Sequence, residues 1–192
     1  MRHKTKTPTE GEIVKAVCEG RREGQTEMVC RYADRVFAMI VRQVGNEMDA
    51  RELTQDTFLR AFSHIGSYDA RKASLSTWLC RIGYHLTLDF QKRRRRQMMF
   101  LAETEELLDD VSDEMLETGL STGKEENIRR LERLIDDLTD DERMLVTLYY
   151  YDDLPLAEIA YIMGIEAKPL AKRLYRIRKK LYKKLKEDAR EI

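Results

Sequence analysis

The sequence predicts an all-α protein made of two small helical domains, and three observations support this fold class. Apolar residues recur at the three- and four-residue spacing of amphipathic helices along most of the 192 residues. No segment shows the strict alternation of apolar and polar residues that is typical of a half-buried strand. An acidic segment separates the two halves, and each half is long enough to bury its own core.

The charged residues make up 36% of the chain and cancel to a formal net charge of +0, but they are segregated along it. Asp89 is the only acid between residues 71 and 96, where Arg and Lys are abundant, and residues 168–186 contain no acid at all. Residues 103–126 are acidic, with Lys124 as their only base. Two basic segments of this kind are typical of a protein that binds nucleic acid.

The cysteine pattern and the start of the chain indicate where the protein works. Cys18, Cys30 and Cys80 form no CxxC pair, and an odd number of cysteines on predicted helices is not typical of a disulfide framework. The basic start of the chain is not followed by an apolar run, and no stretch of about 18 apolar residues occurs. We therefore expect reduced thiols, a cytoplasmic location and no membrane insertion.

Capping and turn residues divide the first half into four predicted helices. Thr9 and Glu12 have the spacing of a capping box for a short first helix. A second helix covers about 25–44 and ends at Gly45, and a third covers about 47–64. The fourth begins at one of two serines and is the most distinctive element of the chain.

The fourth predicted helix, 74–96, has two chemically different faces. One face is apolar and consists of Leu75, Trp78, Leu79, Ile82, Leu86 and Phe90. The opposite face is mostly basic and carries Arg81, Tyr84, His85, Leu88, Lys92 and Arg95. A basic face with an aromatic side chain can hold a phosphate backbone and stack on an unpaired base. The alternative for this stretch is a core helix with a solvated basic face.

The second half is predicted to end in a helix-turn-helix. A helix over about 128–138 is followed by one that Thr139 and Glu142 would cap as a second capping box. A short helix near Pro155 ends at Gly164, and a longer helix with outward basic residues follows. The second helix of such a pair is suited to a DNA major groove, although any helical hairpin would give part of this signal.

These segments, in this order and at this separation, resemble the extracytoplasmic-function (ECF) sigma factors of bacterial RNA polymerase, which belong to the sigma-70 family. The first half contributes GNEMDARELTQDTFLRAF and STWLCRIGYHLTLDFQKRRRR, and the second half contributes LIDDLTDDERMLVTLYYYDDLPLAEIAYIMGIEAKPLAKRLYRIRKKL in looser form. The resemblance implies a sigma domain two at 1–97, an acidic linker at 98–126 and a sigma domain four at 127–192. The linker would thread toward the RNA path, or serve only as a tether.

The resemblance also implies three sets of site residues. Those that match the core polymerase-binding motif are Asp49, Glu52, Leu53, Gln55, Asp56 and Phe58. A second set matches the helix that recognises the minus-ten element and the loop before it, and this set includes a basic run suited to backbone phosphates. Its members are Tyr68, Ser74, Trp78, Arg81, Tyr84, His85, Lys92, Arg93, Arg95 and Arg96. Those that match the minus-thirty-five recognition helix are Lys168, Lys172, Arg173 and Arg176.

Some positions depart from the family pattern. His85 replaces a usual Asn, which leaves open a DNA contact that depends on pH or a helix pair with Asp89. Arg51 replaces a usual acid in the core-binding motif. Pro169 falls where the recognition helix ordinarily starts, so we expect that helix to begin a residue or so later. Trp78 lies on the apolar face, which makes core packing the alternative to stacking on a base.

The implied function is that of an initiation factor without enzymatic activity. It would bind core RNA polymerase, recognise and melt promoter DNA, and be regulated by an anti-sigma factor, with no cofactor and no metal. A stand-alone helix-turn-helix repressor or activator is the alternative. A DNA-acting enzyme is disfavoured because the three histidines are scattered and no phosphate-binding Gly-rich loop is present.

Overall fold

The computed structural model describes residues 7–104 and 123–188, which form eight α-helices and contain no strand. A 3-10 turn, Ile65–Ser67, follows the third helix, and a π-helical turn, Thr147–Tyr151, follows the sixth. The helices are α1 (Glu10–Cys18), α2 (Arg22–Val44), α3 (Glu47–His64), α4 (Leu75–Thr104), α5 (Gly123–Asp136), α6 (Asp140–Val146), α7 (Leu156–Met163) and α8 (Ala167–Asp188). The predicted all-α fold with two helical domains is confirmed.

The first domain packs α1 to α4 around a core built from one stripe of each helix. Met28 and Ile40 of α2, Ala61 of α3 and Leu79 of α4 are all 0% exposed. Gly83 lets α4 approach closely, since a Cβ there would lie 3.2 Å from the Met39 Cε atom. The apolar face of the 74–96 stretch therefore forms the contact between α4 and the rest of this domain.

The second domain packs α5 to α8 around apolar side chains of its own helices. Leu145, Leu148, Ile159, Ile162 and Leu170 are all 0% exposed. α7 ends at Gly164, whose φ of 68° lies in the left-handed region that glycine adopts without strain. α7, this turn and α8 form the predicted helix-turn-helix.

The recognition helix α8 begins earlier than the sequence suggested. It starts at Ala167, so Pro169 lies within its first turn. The N–H groups of a first turn have no acceptor within the helix, and a proline there loses no hydrogen bond. The expectation that Pro169 would delay the helix is therefore wrong.

Helix α4 also packs against the second domain, on the side away from the first core. Its partner there is α7, while the end of α2 meets α6 and the π-helical turn. Arg42 pairs with Asp152 at 2.9 Å, and the Gln43 Nε2 atom donates to the Thr147 Oγ1 atom at 3.2 Å. Buried side chains of the two domains form one continuous cluster. We refer to this packing of α6 and α7 against α4 as the closed arrangement.

The predicted linker overlaps helix at both of its ends. α4 continues to Thr104 and α5 begins at Gly123, while most of the acidic segment, 105–122, lies outside the described residues. The domain boundaries at 97 and 127 stay predictions. Within the described ranges, no helix has both the length and the apolar character needed to cross a membrane.

Candidate nucleic-acid interface

The start of α4 is held by side chains from the predicted minus-ten set. The Ser74 Oγ atom accepts from the backbone N–H of Thr77 at 3.2 Å, which is the role of a cap at a helix start. Trp78 is 6% exposed and packs edge-on against Tyr68, with 5.6 Å between ring centroids. In the closed arrangement Trp78 is thus a core residue.

The basic face of α4 is partly covered by the second domain. The Arg81 Nη1 atom donates to the Tyr161 carbonyl oxygen at 3.0 Å, and its guanidinium lies 4.8 Å from the Tyr161 ring centroid. The Tyr84 hydroxyl donates to the Asp141 Oδ1 atom at 3.0 Å, and Arg95 pairs with Asp140. Three predicted DNA-contacting side chains therefore bind groups of α6 and α7.

Tyr84 and His85 show how this cover changes the electrostatics of the face. Tyr84 is 3% exposed, and burial together with Asp141 raises the pKa of its hydroxyl, which stays a donor at neutral pH. His85 is exposed, but partial burial and the nearby Arg81 lower its pKa, against the opposite effect of Asp89. His85 is therefore mainly neutral at pH 7 in the closed arrangement, and protonation of its ring on acidification opposes the partial burial of that ring.

The basic run at the end of this face is exposed to solvent. Lys92, Arg93, Arg95 and Arg96 are all exposed, which suits contacts to backbone phosphates. Arg94 lies 3.9 Å from Asp49 of α3, so the run borders the predicted polymerase-binding residues. At such distances and exposures an ion pair adds little stability, and the run keeps its capacity for an anion.

An open cavity of about 340 Å³ lies between the end of α3 and the basic face of α4. Arg60 and His64 of α3 line it together with Trp78, Arg81 and His85. The cavity thus combines the cationic Arg60 and Arg81 with the aromatic Trp78 and with one carboxylate, that of Asp89. Arg60 and His64 were not predicted as site residues. They belong to a different helix from Trp78, Arg81 and His85, and no sequence spacing indicates that two helices lie side by side.

The predicted polymerase-binding set on α3 divides into exposed and buried members. Glu52, Gln55 and Asp56 are exposed, and Asp49 is half-buried. Leu53 and Phe58 are each 4% exposed and pack α3 against the core of the first domain. Two apolar residues that the sequence analysis did not select adjoin the exposed members, namely Met48 and Leu59 at 77% and 54% exposure. Met48, Glu52, Gln55 and Leu59 follow a spacing of i, i+4, i+7 and i+11, which places the two apolar residues on one helix face with an exposed acid and an amide.

Arg51, which departs from the family pattern, is fixed against its own domain. It pairs with Glu47 one turn earlier, and its guanidinium lies 5.5 Å from the Phe37 ring centroid of α2. These local contacts give the arginine a structural role beside the acidic surface.

The predicted minus-thirty-five set lies along α8 and is mostly free of the domain contact. Lys168, Lys172 and Arg176 are exposed. Arg173 is half-buried and lies 3.6 Å from Asp141, the same carboxylate that accepts from Tyr84. Asp141 therefore connects the two predicted DNA-binding helices in the closed arrangement. Among the described residues, no cluster of His, Cys, Asp or Glu is suited to hold a metal ion.

Two stretches of the chain match models of known protein families. Residues 28–97 match Sigma-70 region 2, and residues 128–181 match Sigma-70, region 4. Each match includes most of one of the two basic helices, α4 in the first and α8 in the second. The class of protein that these matches define is the sigma factor of RNA polymerase.

Comparison with individual proteins narrows this class. The chain is 30% identical over 180 residues to the ECF RNA polymerase sigma factor SigW of Bacillus subtilis. The aligned region covers 91% of this chain and 95% of that relative. The chain belongs to the extracytoplasmic-function sigma factors. Proteins of this family direct transcription initiation and perform no covalent chemistry themselves.

Solved structures share the fold at lower sequence identity. CnrH in complex with the cytosolic domain of CnrY matches with a TM-score of 0.63 at 19% identity, covering 93% of this chain and 98% of that chain. The sigma factor RpoE of Bartonella quintana, in complex with the anti-sigma factor NepR, matches with a TM-score of 0.57 at 18% identity, covering 84% and 96% respectively.

Proposed function

We propose that this ECF sigma factor binds core RNA polymerase through the exposed face of α3 and promoter DNA through α4 and α8. One observation carries the proposal: each of the two matched sigma regions includes most of one basic helix. α4 would melt and hold the minus-ten DNA, and α8 would enter the major groove at the minus-thirty-five element. Phosphate contacts and captured bases would offset the cost of unstacking the duplex.

The closed arrangement is incompatible with minus-ten recognition by the basic face of α4. Asp140 and Asp141 occupy the positions next to Arg95 and Tyr84 where DNA would have to bind. Their negative charges would repel phosphates at the same place. We infer that the closed arrangement is the resting state and that polymerase binds an open one, in which α6 and α7 have left α4.

The cavity between α3 and α4 is the place where we propose that an unpaired base binds once the domains separate. Its Trp78 edge offers an apolar surface, and Arg60 and Arg81 offer charge for the adjoining phosphates. Stacking of this kind contributes about 1–3 kcal/mol per base.

An anti-sigma factor is the proposed regulator, and the cytoplasm is the proposed place of action. Both solved relatives with the shared fold were determined with a bound protein, and one of these is described as an anti-sigma factor. A partner that stabilises the closed arrangement would keep the basic face of α4 away from DNA. Such a partner would need no direct contact with α4.

Transcription with purified components tests the proposed function. Core RNA polymerase is incubated with a library of promoter-like duplexes, with and without this protein, and abortive transcripts are sequenced. We expect transcripts that depend on the protein and share two spaced upstream motifs. Absence of transcripts, together with tight duplex binding by the protein alone, would instead identify a stand-alone repressor or activator.

Replacing the outward cations of α8 tests the minus-thirty-five assignment. Arg173→Ala and Arg176→Ala are each expected to reduce initiation about tenfold or more on promoters that contain this element, because a good bidentate base contact contributes about 1–3 kcal/mol. Initiation rates are compared on matched templates with and without the element. Lys184→Ala is the control, since Lys184 lies on the same helix but pairs with Asp137 of α5. Equal losses on both templates would contradict groove reading.

A further inference from the structure

Glu10 of α1 binds both ends of the loop that precedes α4. Its Oε2 atom accepts from the Tyr68 hydroxyl at 3.4 Å and from the backbone N–H of Leu75 at 3.2 Å. Its Oε1 atom accepts from the Tyr32 hydroxyl of α2 at 3.0 Å. Tyr68 opens the loop and Leu75 begins α4, so one carboxylate joins the loop to two other helices.

The three donors explain why a carboxylate is present at this position. An ionised carboxylate only accepts hydrogen bonds, and its two oxygens can satisfy all three donors at once. The N–H of Leu75 belongs to the first turn of α4, where negative charge is favourable. Burial and Glu10 raise the pKa of the Tyr68 hydroxyl to about 12, so this group remains a donor at neutral pH.

The middle of the loop has its own hydrogen bonds, which do not involve Glu10. Asp69 accepts from the backbone N–H of Arg71 at 3.0 Å and from its guanidinium at 2.9 Å. The Asp69 carbonyl oxygen also accepts from the N–H of Lys72 at 2.9 Å. A preformed turn of this kind can still rotate as a unit. Its orientation toward α4 is then set by the bonds that Glu10 makes at the two ends, together with the packing of Tyr68 on Trp78 and the cap at Ser74.

We propose that Glu10 is a positioning residue for promoter melting, which orients the loop over 68–74 so that it can receive an unpaired minus-ten base. This inference rests on the proposed function. Tyr68 packs against Trp78, which lines the cavity beside Arg81. Release of the loop would therefore change the wall of the proposed base site. Glu10 lies outside the residues 28–97 that match the sigma-70 region 2 model.

The first test measures base discrimination with the complete protein bound to core polymerase. Open-complex formation is compared on promoters that differ by single bases in the minus-ten element. Glu10→Gln removes the negative charge and replaces one acceptor oxygen by an amide donor, so at least one of the three hydrogen bonds is lost or reversed. We expect discrimination to fall about fivefold or more, as for the loss of one hydrogen bond. Glu19→Gln is the control, because Glu19 lies just after α1 and forms an exposed pair with Arg21.

The second test observes the loop without polymerase. Trp78 is the only tryptophan of the chain, so its fluorescence reports directly on the packing of Tyr68. Glu10→Gln is expected to shift Trp78 emission and increase its quenching by acrylamide, and Tyr68→Phe should reproduce part of this change. When Glu10→Gln and Tyr68→Phe are combined, the changes in Trp78 emission and in base discrimination should each be smaller than the sum of the changes in the single variants.

The outcomes separate a positioning role from a structural one. Unchanged discrimination and unchanged emission in Glu10→Gln would overturn the proposal. So would an equal loss on every promoter accompanied by weaker polymerase binding, because that pattern indicates general destabilisation. If the wild-type protein supports no promoter-dependent transcription, the proposed function fails, whereas the fluorescence test of the loop contact still gives its result.

Discussion

Replacing Asp140 and Asp141 by lysine is expected to separate the two domains and expose the basic face of α4. Both residues lie in the first turn of α6 and contact Arg95, Tyr84 and Arg173. The replacement leaves the buried Tyr84 hydroxyl without its acceptor, which costs about 1–3 kcal/mol, and adds repulsion between like charges. The closed arrangement should therefore lose most of its population.

Two measurements would detect this opening. Energy transfer between dyes on α3 and α8 should report a longer distance, and a single-stranded minus-ten oligonucleotide should bind the free protein about tenfold more tightly. The tenfold gain corresponds to about 1.4 kcal/mol of closing free energy that DNA no longer has to overcome. Asp141→Asn is the milder variant, which removes one charge without introducing a bulky cation.

The matched control for this prediction is Asp137→Lys. Asp137 pairs with Lys184 at 3.1 Å within the second domain, and its side chain is 61% exposed. This variant has the same change of charge per site but leaves the contact with α4 intact. An unchanged dye distance in the Asp140/Asp141 variant, at full helix content, would show that these carboxylates do not hold the domains together.

Removal of the Arg93–Arg96 side chains to alanine should weaken open complexes on all promoters and reduce their dependence on salt. Each phosphate contact to duplex DNA contributes about 0.9 to the slope of log K against log salt concentration, so the loss of four contacts reduces it by about 3.6. Phosphate contacts carry no base information, and the loss should therefore be similar across promoter sequences. Equilibrium constants for open-complex formation, measured over a series of salt concentrations, provide the slope.

A smaller variant separates DNA binding from domain opening. Arg95 also pairs with Asp140, so its removal weakens the closed arrangement as well as the DNA complex. Arg93→Ala with Arg96→Ala avoids this contact and should lower the slope by about 1.8. The matched control is Lys15→Ala with Arg21→Ala, two exposed cations whose partner is Glu19. A salt slope that stays the same in the Arg93/Arg96 variant would place the DNA backbone elsewhere.

Local sequence signals predicted most of the helices correctly. The capping boxes at Thr9 and Thr139 are both formed, and Gly45 and Gly164 both end helices with positive φ. These signals act within a few residues, so they are readable without knowledge of the fold. The error at Pro169 has the same local origin, because a proline is compatible with either side of a helix start.

The candidate site was predicted less completely than the helices. The basic residues of α4 and α8 followed from the scarcity of acids in segments 71–96 and 168–186, and the family resemblance assigned them roles. The other residues of the site did not follow, since Arg60, Glu10 and Asp141 come from other helices. The hydrogen bond from Tyr84 to Asp141 joins residues 57 positions apart, and no short-range pattern reports such a contact.

The sequence by itself determined the helices, the two basic faces and the membership of the sigma family. Periodicity, capping and charge segregation are properties of the chain that survive without any tertiary contact. Only the tertiary structure decided that the minus-ten face of α4 is covered. Acids in the first turn of α6 are already explained by the helix dipole, so nothing in the sequence signals that they also bind Arg95 and Tyr84. Which partner an exposed charge finds depends on how the domains pack, and that is fixed by contacts between residues far apart in the chain.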